Sequence, residues 1–380
     1  MFCLAIHHIA CDGWSLGVLI HEVTALYAGS TLPELPVQYA DYAAWQRSWL
    51  RGELLDEQLG YWQERLAGGG PAAILPTDHP GSRAGGGLEL IRREIPRGVL
   101  ESLVRLGREE GATLFMTLLA ALDVLLYRYT GRERVVVGSM HANRGHSAVE
   151  GLLGFFVNVL PLQTLVEPGL SFRGLLGRVR EAALGAYAHQ DAPYEKVVER
   201  VRAGASAGRN ALFQVMVVFQ NMAIPPLRLA GVDVGPFEPG ESTKRAAFDL
   251  SVTFALDSGQ LLTWMEYDTG LYERATVGRL LHHFERVLRD AAAEPARRVS
   301  ELPLREEDDR QEEGKQDGKL WLTDPSHEED EEETGPAEPE AIASFAVAQE
   351  KAAAIQDQVA ARRSKLSDKQ LALLRQRLKK

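Results

Sequence analysis

Apolar residues along this chain follow two different periods, and the switches between them outline its elements. Leu16, Leu19, Ile20, Val23 and Leu26 recur at helical spacing and predict a helix over residues 14–27. Either Asp12 or Ser15 can cap it, because each offers a side-chain oxygen to a first-turn amide. Residues 39–50 and 56–66 read as two more helices rich in Trp and Tyr, set off by a Leu32-Pro33-Glu34-Leu35-Pro36 linker and by Gly68-Gly69-Gly70-Pro71. Helical periodicity returns at 99–110, 114–129, 172–189 and 274–293. Residues 1–6 form an apolar run that reads as a strand buried on both faces. Further strands are expected at 88–95, 134–140, 155–162, 214–219, 248–256 and 261–267. Strands and helices interspersed in this way define a mixed α/β chain.

The pattern fails after residue 305. Residues 306–340 are acidic, carry Pro and few apolar residues, and are expected to be a disordered linker. Residues 341–380 are rich in Ala, Gln, Lys and Arg, and Leu366, Leu371, Leu374 and Leu378 supply a short apolar stripe, as expected of a helical inter-domain or docking segment. The net charge of −11 therefore reflects the linker more than any face of the folded part.

At 380 residues with 45% hydrophobic content, the chain is long enough for two domains or one two-lobed enzyme. No basic patch interleaves with aromatics, which argues against nucleic acid, and no apolar run has the length of a membrane span. Its two cysteines, Cys3 and Cys11, are too few for a disulfide framework and fit a reducing, cytoplasmic setting. No metal site is expected: the histidines lack partners at ligand spacing, and the adjacent His282 and His283 point different ways on a helix. The runs Gly68 to Gly70 and Gly85 to Gly87 lack the Lys-Ser/Thr of a phosphate loop.

The most informative string is His7-His8-Ile9-Ala10-Cys11-Asp12-Gly13, an HHxxxDG pattern. Imidazole exchanges protons near neutral pH. A carboxylate ahead of a helix more often caps or anchors than transfers protons. Gly13 heads the predicted helix, where free amides can face a developing oxyanion, although a simple tight turn explains it equally well.

Other motifs follow in order: Tyr39-Ala40-Asp41-Tyr42-Ala43-Ala44-Trp45-Gln46, Ile74-Leu75-Pro76-Thr77-Asp78, Val137-Gly138-Ser139 with Ala142-Asn143-Arg144, Gly154-Phe155-Phe156-Val157-Asn158, His189-Gln190-Asp191-Ala192-Pro193-Tyr194-Glu195, Arg209-Asn210-Ala211-Leu212-Phe213-Gln214 and Phe248-Asp249-Leu250. Together they resemble the condensation domains of non-ribosomal peptide synthetases. The resemblance implies a chloramphenicol-acetyltransferase-like fold of two lobes with a tunnel between them. In the family most of the first lobe precedes HHxxxDG, so that lobe is expected to be incomplete here. Residues 1–76 would be its remnant and 77–305 the C-terminal lobe.

The implied activity is amide bond formation between a donor acyl or peptidyl thioester and an acceptor aminoacyl amine. The implied partners are donor and acceptor peptidyl carrier proteins, whose phosphopantetheine arms bear the substrates, and adjacent adenylation or condensation modules. No cofactor of the domain's own is implied.

By resemblance, the reactive set is His8, Asp12 and Gly13. His8 would accept the amine proton, orient the amine or stabilise the zwitterionic intermediate. Asp12 would pair with Arg144 and hold the loop, and His7 would support it. Asn158 has two readings, hydrogen bonding to pantetheine or substrate, and ending a strand. Asn221 is a candidate tunnel residue. His189-Gln190-Asp191 reads as structural. Two rivals are an epimerisation domain of the same fold and a non-catalytic carrier-docking or scaffold fragment. A heterocyclisation domain fits less well, because that subfamily replaces both histidines with Asp.

Overall fold

The computed structural model describes residues 4–67, 75–79, 86–201, 212–220, 227, 229–232, 246–257, 259–302 and 304. Asn221, the 306–340 stretch and the 341–380 segment lie outside the described residues.

A six-stranded mixed sheet organises the molecule. Its strands are β1 (Leu88–Ile95), β2 (Arg134–His141), β3 (Asn158–Leu165), β4 (Val215–Gln220), β5 (Leu250–Asp257) and β6 (Gln260–Asp268). The order across the sheet is β1-β6-β5-β4-β2-β3. β4 runs parallel to both β2 and β5, and the other pairings are antiparallel. Val135 to Ser139 of β2 are all buried, so this inner strand is an almost unbroken apolar run, as a strand covered on both faces must be. At Gly138 a Cβ would stand 2.3 Å from the Phe213 ring, which makes glycine a packing requirement there.

The helices are α1 (Gly13–Tyr27), α2 (Tyr39–Trp49), α3 (Glu53–Leu66), α4 (Arg97–Glu109), α5 (Leu114–Thr130), the short α6 (Ser147–Glu150), α7 (Phe172–Ala188), α8 (Tyr194–Val201) and α9 (Arg274–Ala293). The α4, α5, α7 and α9 helices pack on one another and across the sheet, from β3 under α7 to β1 under α9. Central among them is α5, buried from Met116 through Leu126. Its ends are set locally: Thr113 accepts the Met116 amide, and Gly131 ends the helix in a left-handed conformation at φ 67°. Ser171 caps α7 through the Gly174 amide.

The elements expected between residues 39 and 293 appear with shifts of a few residues at their ends, where helices fray and strands lose their partners. β3 begins at Asn158 rather than 155, because residues 154–157 bond elsewhere. α8 was not anticipated; its 8 residues are too few for a clear period. The buried strand expected at 1–6 is not present over its described part: Leu4 and Ile6 are exposed and carry no strand. Apolar composition marks a segment that prefers burial but does not supply a sheet edge to pair with. Likewise, α1 leaves Leu16, Val23 and Leu26 exposed and buries Ser15 and Gly17 instead. It is held by polar bonds at its N-terminus more than by its apolar stripe.

Among the described residues no single helix is long and apolar enough to cross a membrane. Only the bent pair α4 and α5 together reaches that composition, and α5 is core.

Candidate active site

The HHxxxDG turn docks onto the loop joining β2 to β3. His8–Ala10 form a short 3-10 turn, capped by the His7 ring nitrogen, which accepts the Ile9 amide at 3.1 Å. The His7 ring thus bonds within the turn itself. The exposed His8 places its Nδ1 2.8 Å from the Cys11 carbonyl oxygen. A carbonyl only accepts, so Nδ1 carries the proton and Nε2 of the neutral ring keeps its lone pair.

Asp12 ends the turn and starts α1. It is 2% exposed. Its Oδ1 accepts from the Ser15 amide at 2.8 Å and from Arg144 Nη2 at 3.1 Å, and its Oδ2 accepts from the Phe156 amide at 2.9 Å. Of the two rival caps in the sequence, Asp12 is the cap and Ser15 is capped. Burial by itself would raise the carboxyl pKa. The Phe156 and Ser15 bonds and the Arg144 guanidinium outweigh it and hold Asp12 below its ordinary value.

Arg144 enters this cluster from the other side. Asn143 before it adopts φ 55°, a left-handed conformation that Asn tolerates. The guanidinium donates to Asp12, to Ser15 Oγ at 2.7 Å, and through Nη1 to the carbonyls of Val149 and Leu152 at 2.7 and 2.8 Å. It also lies over the Phe156 ring, 4.0 Å from its centroid. Burial lowers its pKa, and Asp12 opposes that shift.

Ser15 and Gly154 complete the clamp, and sequence reasoning missed both as site residues. Ser15 Oγ donates to the Gly154 carbonyl at 2.8 Å and accepts the Gly154 amide at 3.0 Å, while the Asp12 amide donates to that same carbonyl. A Cβ on Gly154 would fall 2.2 Å from the Tyr39 ring. The only signals were the candidacy of Ser15 as a helix cap and the place of Gly154 in the GFFVN motif. Trp14 donates through Nε1 to the Glu150 carbonyl at 2.8 Å. The Gly13 and Trp14 amides begin α1 and so have no carbonyl within the helix to bond. A Cβ at Gly13 would meet nothing within 4 Å, so packing within the protein does not demand glycine there.

Asn158 is elsewhere and fully engaged. Its amide nitrogen donates to the carbonyls of Gln190 and Ala192 at 2.9 and 2.8 Å, and its Oδ1 accepts the Val159 and Tyr194 amides at 3.0 and 3.1 Å. The GFFVN motif therefore holds the HQDAPYE motif, which favours the structural reading of Asn158 over a free ligand contact. His189 is part of the same structural unit: its ring stacks on Tyr61 at 3.9 Å, and its carbonyl accepts from Trp62 Nε1 at 2.9 Å. No group of His, Cys, Asp and Glu able to hold a metal occurs among the described residues.

The six-stranded mixed sheet with its covering helices is the chloramphenicol-acetyltransferase-like fold of the solved condensation domains to which the chain is similar. The sequence profile of the Condensation domain matches residues 1–312, and the chain belongs to the condensation-domain family. Tyrocidine synthase 3 of Brevibacillus parabrevis is 36% identical over 321 residues, covering 82% of this chain and 5% of that protein. Surfactin synthase subunit 1 of Bacillus subtilis (strain 168) is 36% identical over 318 residues, covering 81% of this chain and 9% of that protein. The chain thus spans a small fraction of the length of the curated relatives it matches. In structure it is similar to the X-domain from teicoplanin biosynthesis, with TM-score 0.70, 25% identity, and coverage of 78% of this chain and 70% of that one. The condensation domain of Monacolin K polyketide synthase shares the fold, with TM-score 0.65, 23% identity, and coverage of 77% and 69%.

Proposed function

We propose that this chain catalyses aminolysis of a carrier-bound thioester, making the amide bond of a non-ribosomal peptide. The observation that carries this reading is the Nδ1 bond of His8 to the Cys11 carbonyl, which leaves Nε2 as the proton acceptor. The acceptor amine attacks the donor thioester carbonyl. As the C–N bond forms, the nitrogen gains positive charge, and Nε2 takes its proton. The tetrahedral intermediate collapses, the C–S bond breaks, and the proton passes to the departing thiolate. General-base help of this kind is worth roughly 10²–10⁴-fold. The amides of Gly13 and Trp14 at the head of α1 are the donors for the oxyanion, and the bare Gly13 lets the substrate approach them. Asp12 and Arg144 position the turn and do not exchange protons in the reaction.

Both substrates ride on phosphopantetheine arms of peptidyl carrier proteins, and the wider setting is a cytoplasmic multidomain synthetase with neighbouring adenylation or condensation modules. The relatives named as synthases support that setting.

The test is direct. Donor and acceptor thioesters on carrier proteins are mixed with the chain, alone and within its parent synthetase, and the amide product is followed by mass spectrometry. Product that persists at the parent rate in His8→Ala would overturn the assignment of His8. Carrier binding without product in either setting would favour a docking fragment.

A further inference from the structure

The Nδ1 bond alone does not fix the His8 ring. One hydrogen bond leaves the imidazole free to swing about the Nδ1···O axis, and His8 is exposed, with its neighbours Ile6 to Ile9 also exposed. A second contact removes that freedom. The Phe155 ring stands against the imidazole at a centroid distance of 5.3 Å and an interplanar angle of 87°. Phe155 is 40% exposed and belongs to neither apolar cluster of the core, so burial does not explain its position.

What explains it is the main chain on either side. Gly154 is held at both its amide and its carbonyl by Ser15, and its carbonyl also takes the Asp12 amide. The Phe156 amide is held by Asp12. The Phe155 carbonyl itself accepts the Tyr39 hydroxyl at 2.8 Å. The peptide units flanking Phe155 are thereby held, and they set where its ring stands. The clamp that anchors the turn bearing His8 also anchors the residue that braces it, so the two rings are referenced to one frame.

We infer that Phe155 is a positioning residue for His8, holding the imidazole plane so that Nε2 faces the reacting amine. The inference rests on the proposed role of His8. Aromatic contacts of this geometry are individually modest, but reaction rates are steep in the orientation of the base. Loss of the ring is therefore expected to be felt in turnover more than in stability.

Two measurements test it. The first needs no turnover. Histidine labelled with ¹³C at Cε1 is introduced into the chain, and the His8 signal is assigned by its absence in His8→Ala. Its order parameter is expected to fall in Phe155→Leu and to return in Phe155→Tyr. An unchanged order parameter in Phe155→Leu overturns the inference. The second uses the synthetase carrying this chain. Phe155→Leu is expected to lower kcat by on the order of ten- to a hundredfold, with the KM of both loaded carriers within twofold of parent and rescue by Phe155→Tyr. In the His8→Ala background the same change is expected to add nothing. A raised KM with unchanged kcat, or a loss in kcat that persists in the His8→Ala background, would make Phe155 a substrate contact and overturn the positioning role. If His8→Ala itself turns over like the parent, the reading of His8 has failed, and the order-parameter result still decides whether Phe155 braces it.

Discussion

Asp12 and Arg144 stand 132 residues apart in sequence and meet at 3.1 Å, with side chains 0% and 1% exposed. A pair so enclosed gains little net energy from its own attraction, because both charges left water to form it. Its value is geometric: Arg144 also ties down the carbonyls of the α6 loop, so one guanidinium joins the HHxxxDG turn to the β2–β3 connection.

Removing one partner should be far worse than this small net gain suggests. Arg144→Ala leaves the Asp12 charge buried and unpaired, and a loss of about 3–5 kcal/mol is expected in urea unfolding. Arg144→Lys should recover little of it, since an ammonium cannot span Asp12, Ser15 and the Val149 and Leu152 carbonyls at once.

Acid sensitivity follows from Asp12. Its folded pKa lies below the ordinary value, so its stabilising contribution is full above the unfolded value and disappears as pH falls through the folded one. Asp12→Asn should lower stability at neutral pH and flatten the acid limb of a pH–stability curve. A parallel limb in the variant would assign the acid response to other carboxylates.

Asp123, in the middle of α5, gives the opposite slope. It is 1% exposed and bonds the Thr164 hydroxyl, and burial pushes its pKa from 3.8 up to about 8. The folded state then holds a proton that the unfolded state has lost, so stability should decline as pH rises between those two values and level off above the higher one. The slope approaches about 1.4 kcal/mol per pH unit in mid-range. Asp123→Asn, which stays neutral, should remove that decline in unfolding titrations spanning those two values.

Asn158→Ala should separate its two readings. As the holder of the 190–194 turn, it leaves the Gln190 and Ala192 carbonyls and the Tyr194 amide without their partner, so the melting temperature should fall by several degrees, corresponding to about 1–3 kcal/mol. Asn158→Asp should be worse, because a carboxylate would face two carbonyls. A rise in carrier KM at unchanged melting temperature would restore the ligand-contact reading.

Gly138→Ala should destabilise by about 1–3 kcal/mol through overpacking against Phe213. Phe213→Leu should relieve part of that cost, and thermal unfolding of the double variant tests the coupling.

The covering helices were legible because α7 and α9 carry a helical period of their own, and β2 because it is a short β-branched apolar run. The site was legible in parts. HHxxxDG, ANR and GFFVN each stood out, but that they form one clamp depends on a hairpin-like return from β2 to β3 that no local pattern encodes. Residues 1–6 misled because an apolar run states a preference for burial and says nothing of a partner. Phe155 gave no signal of its own: its importance lies in the bonds of its neighbours.

The clamp also bears on how condensation domains can be recombined. A crossover anywhere between Ala28 and Ala142 would take Asp12 and Ser15 from one parent and Arg144, Gly154 and Phe156 from the other. The buried charge pair would then be assembled from two ancestries, and hybrids cut before Asp12 or after Arg144 would inherit it whole.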